Sequence, residues 1–577
     1  PALYDPAGGQ PFANNTIPPT RINAVSRNIQ ETYYPAPNVP DPNAITRNHQ
    51  IIGGSGTTRE EALDLRLDHR VSDRHWLYGS IGGSQFNNRA YDSNLPTMGF
   101  RASTRKLYHG AASYTYNLSA NVLNELRAGF MRDNNPAGGA RNGPEALREL
   151  GIRFPSSLPA PDVRGFPVIN ISGLTALTQQ NSTTNISASY QLTDTVSWIY
   201  TRHTFKGGLN LYLEQPNYSQ VPAGAFGSFF FLTTYTGVAY ADFLLGIPGY
   251  VTVTGINPSQ YMRSTNYGLF FQDDYKLRRD LTLNLGLRWD LQGPIYNKNN
   301  AFYNFDPASG GMVKAAAGTP VNSSFPTNYP NVKILEAAQV GLPERTLRFA
   351  DRNNLAPRIG FAWRPRGSST FVVRGAYGKF SDIIGQGVLG TMAAGGFLNR
   401  GNPRFDNVAA SAGATAWRFP YPFPAVVTGE AAPPTLTANG FNPRMANPYV
   451  QQWNLTLEKS LWETAFRASY MGTKTTNLIY NRDINQRGTP GDTSNRSRPY
   501  SAYGYGGTIA YMENGGNQIY HGLVLEARRR LANGFMFQAG YAFAKNISDV
   551  IDSENDANGT SSNALNRALD RGQVGYQ

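Results

Sequence analysis

The chain has 577 residues, of which only 16% are charged, while glycine (59), tyrosine (33) and phenylalanine (30) are abundant. A single globular core stops growing near about 250–300 residues, so a soluble protein of this length would need several domains, yet no linker-like segment divides the sequence. The net charge is +13, but basic residues are spread evenly and accompany no nucleic-acid motif, so nucleic acid is not a predicted partner.

Cysteine is absent, which excludes disulfides, thiolate metal sites and thiol nucleophiles. The mean hydropathy of -0.41 and the lack of an apolar run near ~20 residues argue against helical membrane spans. A β-barrel remains compatible, because its strands alternate lipid-facing apolar with lumen-facing polar residues and therefore average to a soluble-looking value. The chain opens at Pro1 with neither Met nor an apolar leader, so we expect that its start is missing or has been removed.

Alternation of apolar and polar residues predicts the first hairpins. Leu63, Leu65 and Leu67 are separated by polar residues, and the turn 71–74 leads to a returning strand. The first three predicted hairpins are 63–68 with Trp76–Phe86, Leu107–Tyr116 with Val122–Arg132, and Ser187–Tyr200 with 205–214.

The clearest alternation runs from Leu281 to Leu291, with leucine or tryptophan at every second position. Strands of soluble sandwiches average ~5–6 residues, whereas this one approaches the ~9–11 that cross a bilayer at a tilt. It forms a hairpin with Thr265–Lys276, and the segment Tyr235–Ile256 could add a further strand or pair. The remaining predicted hairpins are Pro357–Trp363 with Phe371–Phe380, Gln451–Lys459 with Ala465–Gly472, and Tyr520–Arg530 with Phe535–Lys545.

Connections alternate strictly between short and long. Turns within hairpins have a few residues, whereas the connections between hairpins are long, rich in Gly, Pro, Asn and Ser, and expected to lack regular structure. The long ones are Asn87–Thr104, Asp133–Ile186, Gly293–Ala356, Ser381–Pro448 and Thr473–Ile519. Outer-membrane barrels have short periplasmic turns and long extracellular loops. The predicted fold is an all-β, transmembrane antiparallel barrel with about fourteen or more strands in this chain, truncated at both ends.

This orientation divides the chain into three parts. Residues 1–59 are predicted to be an extracellular loop after a missing strand, 60–545 the barrel strands with their turns and loops, and 546–577 an extracellular loop at the truncated end.

Several segments resemble the TonB-dependent outer-membrane receptors, and among them the Oar-like group, whose N-terminal domain is carboxypeptidase-regulatory-like. The matching segments are 268–276 with 281–289, 354–362, 373–378, 447–454, and the opening pair 17–22 and 34–38. The resemblance implies a barrel of about twenty-two strands plugged by an N-terminal domain. It also implies opening by a TonB-type energising complex; neither the plug nor the TonB box lies in this sequence.

Alternation also assigns individual side chains to the two faces. The residues predicted to face lipid are Leu63, Leu65, Leu67, Leu126, Phe130, Leu209, Leu211, Leu269, Phe271, Leu283, Leu285 and Leu287. Those predicted to face the lumen are Arg66, Arg127, Lys206, Arg288, Asp290, Arg374 and Arg528.

The lumen-facing cations permit two interpretations. They would favour anionic ligands, or they would pair with Asp64, Glu125, Asp290 and Glu526 as an internal charge lattice, which is the preferred interpretation. Tryptophans near strand ends predict aromatic girdles at the headgroup levels. These are Trp76, Trp198, Trp289, Trp363, Trp453 and Trp462.

No catalytic constellation is evident, and we predict no enzyme and no cofactor. Asp273 and Asp274 are adjacent in a strand and must point to opposite faces, so they cannot act on one atom. None of the six histidines has metal-site spacing. One acidic loop has oxygen ligands of the kind Ca²⁺ prefers but departs from the EF-hand pattern, so a solvated loop is the preferred interpretation. Its residues are Asp549, Asp552, Glu554 and Asp556.

The leading hypothesis is a receptor or transporter barrel in the outer membrane of a Gram-negative-type bacterium, for TonB-energised uptake of an unidentified extracellular ligand. Its predicted partners are outer-membrane lipid, its own plug domain, the energising complex and that ligand. One alternative is an outer-membrane adhesion or surface-interaction protein without transport. Another is a secreted multi-domain β protein, which would stay in the aqueous fraction.

Overall fold

The computed structural model describes most of the chain. The described residues are 2–40, 48–50, 56–91, 95–139, 141–156, 160–179, 182–256, 259–319, 321, 330–382, 384, 404–407, 416–424, 436–489, 491–532, 534–550 and 561–574.

The described residues are mostly in strands, with three short α-helices. The helices are α1 (Ala24–Tyr33), α2 (Gly143–Leu150) and α3 (Ala239–Leu244). The strands are β1 (Thr57–Arg70), β2 (His75–Tyr91), β3 (Phe100–Ser119), β4 (Val122–Ala137), β5 (Val168–Ile171), β6 (Ser182–Tyr200), β7 (His203–Val221), β8 (Ser228–Phe231), β9 (Tyr250–Thr252), β10 (Gln260–Arg278), β11 (Leu281–Gln292), β12 (Tyr296–Asn297), β13 (Tyr303–Asp306), β14 (Gly311–Lys314), β15 (Ile334–Glu336), β16 (Asn354–Trp363), β17 (Phe371–Ser381), β18 (Arg404–Asp406), β19 (Ala438–Phe441), β20 (Tyr449–Leu461), β21 (Thr464–Asp483), β22 (Ile509–Ala532), β23 (Phe535–Ser548) and β24 (Gly572–Gln573). No helix among the described residues has the length and apolarity to cross a bilayer.

The long strands form one antiparallel wall in chain order. They pair successively as β1-β2-β3-β4-β6-β7-β10-β11-β16-β17-β20-β21-β22-β23. All seven predicted hairpins are present at the predicted places, and the all-β antiparallel class is confirmed. Among the described residues β1 pairs only with β2, while β23 pairs with β22 and β24, so the wall is open between its first and last long strands.

Several predicted strands were too short at their long-loop ends. β2 and β3 stay paired as far as Tyr91 and Phe100, so most of the predicted loop Asn87–Thr104 is strand. Likewise β21 continues to Asp483, opposite Ala510 of β22. The alternation fades there because neither face meets a uniform apolar medium, whereas backbone pairing does not depend on that pattern.

The described parts of the long connections contain helices, strands and buried clusters, which corrects the expectation that these connections lack regular structure. The segment Tyr235–Ile256 holds α3 and β9 and adds no long strand to the wall. Strands β18, β9, β8 and β5 form a small sheet, and β13, β14 and β15 form another. Both small sheets lie in connections between hairpins, so the long-loop end of the wall carries packed structure of its own.

Local signals explain where the two longer helices begin. The Asn23 side chain accepts a hydrogen bond from the Val25 amide at 2.9 Å and so caps α1. Asn142 caps α2 in the same way, and Gly151 ends that helix with a φ of 78°. The buried faces of both helices pack into one cluster, which we call the first loop cluster. Its centre consists of Ile29, Leu147, Phe166, Phe226, Phe229, Phe231, Phe243 and Phe419.

A second loop cluster is built from the connections after β11, β17 and β21. Asn304 joins two of them, because its side-chain amide donates to the Phe441 carbonyl at 2.9 Å and its oxygen accepts from the Phe441 amide at 2.7 Å. Two adjoining groups of buried side chains make up the cluster. They include Phe302, Val313, Leu347, Phe441 and Met512, and Tyr303, Phe305, Val332, Tyr505 and Ile509.

Candidate functional site

The wall has two chemically distinct faces, and the strand register keeps them continuous. One row joins Leu67, Gly79, Ala112, Ala128 and Leu192, and further rows of the same face carry leucine, phenylalanine and tyrosine. We call this the apolar face. The opposite polar face carries most of the charged residues of the strands.

Every residue predicted to face lipid lies on the apolar face. Ten of the twelve are exposed in the isolated chain, from 36% for Phe130 to 73% for Leu67. Leu211 and Leu283 are partly exposed. Large apolar side chains exposed together over so many strands require a non-aqueous neighbour. The residues predicted to face the lumen all lie on the polar face: Arg66, Arg127, Lys206, Arg288, Asp290, Arg374 and Arg528.

The predicted girdle tryptophans lie on the apolar face, on the polar face or in a turn. Trp198 and Trp363 lie on the apolar face near the short turns, and Trp289 and Trp453 lie on that face toward the long loops. Trp76 lies on the polar face, opposite Arg70, so its predicted girdle position is wrong. Trp76 directly follows a turn. Closeness to a strand end indicates how far along the strand a side chain lies, but it does not define the face of the wall on which the side chain lies. Trp462 lies in the short turn between β20 and β21 and is 81% exposed.

A hydrogen-bonded lattice crosses the polar face. Arg288 lies 2.6 Å from Asp290 and donates from Nη1 to Asn210 Oδ1 at 3.1 Å, two strands away. Asn210 in turn donates to Thr193 Oγ1 at 2.8 Å. Gly268 of the intervening strand makes this reach possible, because a Cβ there would lie 2.2 Å from Arg288 Nη2. The lattice therefore joins β6, β7 and β11 across the intervening β10.

The predicted ion pairs are partly right. Arg127 pairs with Glu125 at 2.6 Å and Arg288 with Asp290, as expected. The other two predicted acids, Asp64 and Glu526, pair with side chains of other strands, which lie in β3 and β21. The observed pairs are Asp64 with His109 at 2.9 Å, Arg66 with Asp68 at 2.7 Å, Arg374 with Glu458 at 3.4 Å, and Glu526 with Arg467 at 2.5 Å.

Histidines near the short turns belong to the aromatic rows of the apolar face. The His203 ring stacks on Tyr275 with centroids 4.1 Å apart, and His203 Nδ1 lies 2.7 Å from Asp273 Oδ2. His75 stacks on Tyr116 at 4.5 Å. Asp273 and Asp274 lie on opposite faces, as predicted, and Asp274 accepts from Asn284 at 2.6 Å. Alternation alone missed the His203–Asp273 pair, since it depends on cross-strand register.

The loop clusters contain buried polar groups that fix their geometry. Asp242 is fully buried, and its carboxylate accepts from Thr236 N at 2.8 Å, Thr236 Oγ1 at 2.6 Å and Tyr235 N at 3.1 Å. Burial raises the pKa of Asp242 above its usual value, although these hydrogen bonds act to lower it. Burial also lowers the pKa of Arg348 to about 10, so it stays charged at neutral pH and donates to Met445 O and Asn447 Oδ1.

The acidic loop proposed for Ca²⁺ lies mostly outside the described residues, which exclude Asp552, Glu554 and Asp556. Asp549 accepts from the Asn517 amide and lies 3.6 Å from the Arg567 guanidinium. Within the described ranges no three His, Asp or Glu side chains form a group that could hold a metal ion.

The wall consists of consecutively paired strands and has one apolar and one polar face. Short turns lie at one of its ends and folded loops at the other. This is the architecture of an outer-membrane β-barrel. A family model described as an outer membrane beta barrel domain matches residues 1–577. The chain belongs to this family and is a protein of the cell outer membrane. Domains of this kind are not enzymatic in general.

Solved outer-membrane proteins show a distant likeness. The transporter YddB from Escherichia coli is 10% identical with a TM-score of 0.48, over 86% of this chain and 49% of that one. The alcaligin receptor FauA from Bordetella pertussis is 10% identical with a TM-score of 0.40, over 85% and 53%. The ferripyoverdine receptor from Pseudomonas aeruginosa is 11% identical with a TM-score of 0.43, over 86% and 50%. The chain thus spans about half the length of these proteins, and no curated sequence matches it.

Proposed function

We propose that the chain forms part of the wall and the external cap of an outer-membrane receptor and transporter of the TonB-dependent class, within its Oar-like group. The apolar face contacts lipid, and the polar face lines the interior. The chain divides into an external segment 1–59, strands with turns and loops at 60–545, and an external segment 546–577. A plug domain and a TonB-type energising complex complete the working protein, and its ligand comes from outside the cell.

The observation that carries this proposal is the hydrogen-bonded lattice on the polar face. A charged lattice of that extent needs water or a polar partner, whereas the opposite face needs lipid. Most of the predicted lumen-facing cations of the polar face have anionic neighbours, so we assign them to the structure of an aqueous interior and to contact with a plug. Selectivity for an anionic ligand is not proposed.

The loop clusters favour a receptor because they hold the external surface in one shape. Side chains from the segment 1–59 and from three connections converge on the first loop cluster, with Tyr33, Phe166, Phe229 and Phe419 all buried. A pre-formed surface binds with less ordering entropy than separate flexible loops would. The same feature supports the second candidate function, adhesion to an external partner without transport.

One pair of neighbouring residues tests the placement of the faces. Single cysteines replace Asn284 and Leu285, which lie on opposite faces of β11, in a chain that has no other cysteine. We expect a water-soluble maleimide to label Asn284→Cys and to leave Leu285→Cys unlabelled in intact outer membranes. Equal labelling of the two would exclude the proposed orientation.

Transport and adhesion are separated by their energy requirement. We compare cells that carry the complete protein with and without a functional TonB-type complex, and measure depletion of solutes from the medium by mass spectrometry. Transport predicts selective depletion that needs the complex. Adhesion predicts surface binding of an external partner that is the same in both strains.

A further inference from the structure

Three short turns that follow one another along the wall carry an excess of positive charge. They connect β6 to β7, β10 to β11 and β16 to β17, and these strands are consecutive in the wall. Together with the adjoining strand ends they comprise residues 201–202, 276–280 and 364–367, which contain six basic residues and one acidic residue. All six basic side chains are exposed, and we call them the three-turn basic patch: Arg202, Lys276, Arg278, Arg279, Arg364 and Arg366.

The two short turns that precede the patch in the wall are not basic. The turn 71–74 contains one acidic and one basic residue, Asp73 and Arg74, and the turn 120–121 contains no charged residue. The excess of positive charge is therefore a property of this part of the wall and not of every short turn.

Hydrogen bonds between the turns join the patch into one continuous surface. Arg202 donates from Nη1 to the Leu277 carbonyl at 3.4 Å, and the Lys276 amide donates to the Arg202 carbonyl at 2.8 Å. On the other side, Arg364 donates from Nη2 to the Arg279 carbonyl at 2.9 Å. These contacts fix the spacing of the turns, so the cations are held near one another.

The protein itself does not neutralise this charge. The acidic residue of the three turns, Asp280, lies 3.5 Å from Arg278. Within the described part of the chain, the side chains of Arg279 and Arg366 make neither an ion pair nor a hydrogen bond. A guanidinium group presents its donors in a planar fork that matches a phosphate group. The patch is therefore suited to bind a phosphate anion.

The patch borders the end of the apolar face at which aromatic side chains lie. Tyr200 and Trp363 are 55% and 37% exposed there. Arg278 is opposite Leu281, and Leu281 is opposite Trp363, so the register places Arg278 on the apolar face as well. Exposed aromatic side chains concentrate at the headgroup level of a bilayer, and an arginine at that level extends its charged end toward the headgroups. The position of the patch therefore favours a lipid over a soluble anion.

We propose that the three-turn basic patch binds the phosphate group of an anionic glycerophospholipid in the leaflet at the short-turn end. The acyl chains of this lipid lie along the adjoining apolar face. Clusters of four or more basic side chains beside a membrane-spanning surface attract anionic headgroups in this way. The proposal rests on the proposed function, because it requires the apolar face to be in lipid.

Lipid binding by the complete protein tests this proposal. The purified protein in detergent is titrated with phosphatidylglycerol or with phosphatidylethanolamine of the same acyl chains, and native mass spectrometry counts the bound lipids. Only phosphatidylglycerol has a net negative charge, so we expect it to bind about tenfold more tightly than phosphatidylethanolamine. Equal binding of the two lipids would overturn the proposal.

Two pairs of arginines provide matched variants. Arg279→Gln with Arg366→Gln removes two cations of the patch but leaves the hydrogen bonds between the turns in place. Arg148→Gln with Arg352→Gln removes two exposed cations at the long-loop end. We expect the first pair to weaken phosphatidylglycerol binding roughly fivefold or more and the second pair to leave it unchanged.

Heat-modifiable gel migration confirms that each variant is folded before the titration. Equal losses in the two pairs would mean that binding follows the net charge of the protein, and no loss in the first pair would place the lipid elsewhere. Either result overturns the proposal. Glycerol phosphate has the anionic group without acyl chains, so it should not displace phosphatidylglycerol at the same concentration. Displacement would assign the patch to a soluble phosphate ester and overturn the lipid proposal.

Maleimide labelling of Leu285→Cys in intact outer membranes tests the placement of the faces separately. If Leu285→Cys stays unlabelled while phosphatidylglycerol binds no more tightly than phosphatidylethanolamine, only the lipid site fails. If Leu285→Cys is labelled, the apolar face is not in lipid, and the proposed function fails together with the lipid site.

Discussion

The strand wall and the loop clusters use apolar side chains in opposite ways. Among the described residues, the largest fully buried side chains lie in the loop clusters, and they include Phe166, Phe229, Phe305 and Tyr505. In the wall, by contrast, leucines such as Leu65 and Leu285 are 59% and 42% exposed. Burial by the protein itself stabilises the loops, whereas in the proposed placement burial by lipid stabilises the apolar face of the wall.

This contrast has a consequence for stability. Loss of packing in the first loop cluster should open that part of the external cap and leave the wall intact, because none of the cluster's buried residues lies in a wall strand. Damage to the apolar face should do the reverse. The two regions can therefore be disturbed separately.

The largest effect is expected from Phe229→Ala in the first loop cluster. Phe229 is fully buried and its ring packs against Phe419 with centroids 5.5 Å apart, so its truncation should destabilise the cluster by about 3–5 kcal/mol. Limited proteolysis of the purified protein should cut the loops faster while heat-modifiable migration of the wall persists. The adjacent Phe230→Ala, on the other face of β8, is the control and should cost clearly less. Loss of the folded wall in Phe229→Ala would contradict the separation of the two regions.

A somewhat smaller effect is expected from a charge on the apolar face. Leu285 lies four residues from Trp289, well inside the apolar band of β11, so Leu285→Arg should destabilise the wall by about 2–4 kcal/mol. Refolding yield into vesicles, followed by gel migration, measures this. Asn284→Arg is one residue away on the polar face and should refold almost normally. Equal losses for the two variants would show that the faces do not differ in environment.

The two regions also differ in how far the sequence predicts them. All seven hairpins follow from alternation such as Leu281 to Leu291, because one face of each strand meets a uniform apolar medium. The loop clusters do not follow from alternation, since Phe229 and Phe419 are far apart in sequence and meet only through tertiary packing. Within the wall, pairs such as Asp64 with His109 or Asp273 with His203 depend on cross-strand register, which alternation within one strand does not define.

A substitution at Gly268 tests whether the hydrogen-bonded lattice of the polar face contributes to stability. A methyl group at this position would displace the Arg288 guanidinium, since its carbon would lie 2.2 Å from Nη2. The hydrogen bond to Asn210 would be lost, at a cost of about 1–3 kcal/mol for a charged donor. Gly268→Ala should therefore lower the unfolding midpoint in urea, and Gly540→Ala, where a Cβ meets no atom within 4 Å, should not. An unchanged midpoint for Gly268→Ala would mean that the hydrogen bond from Arg288 to Asn210 across β10 contributes nothing to stability.

The smallest expected effect is a pH dependence confined to the first loop cluster. Because burial raises the pKa of Asp242 in the folded protein, the folded state holds this proton more tightly than the unfolded state does. The contribution is therefore most favourable below the unfolded pKa and is lost as pH rises through the folded pKa. Hydrogen exchange of the amides of residues 235–245, corrected for intrinsic rates, should show more protection at mildly acidic than at neutral pH. Asp242→Asn keeps an oxygen that accepts from Thr236 and removes the titration, so its protection should be flat with pH. A pH dependence that survives in Asp242→Asn would assign it to another group, and one of the opposite sign would mean that the three hydrogen bonds to the carboxylate outweigh its burial.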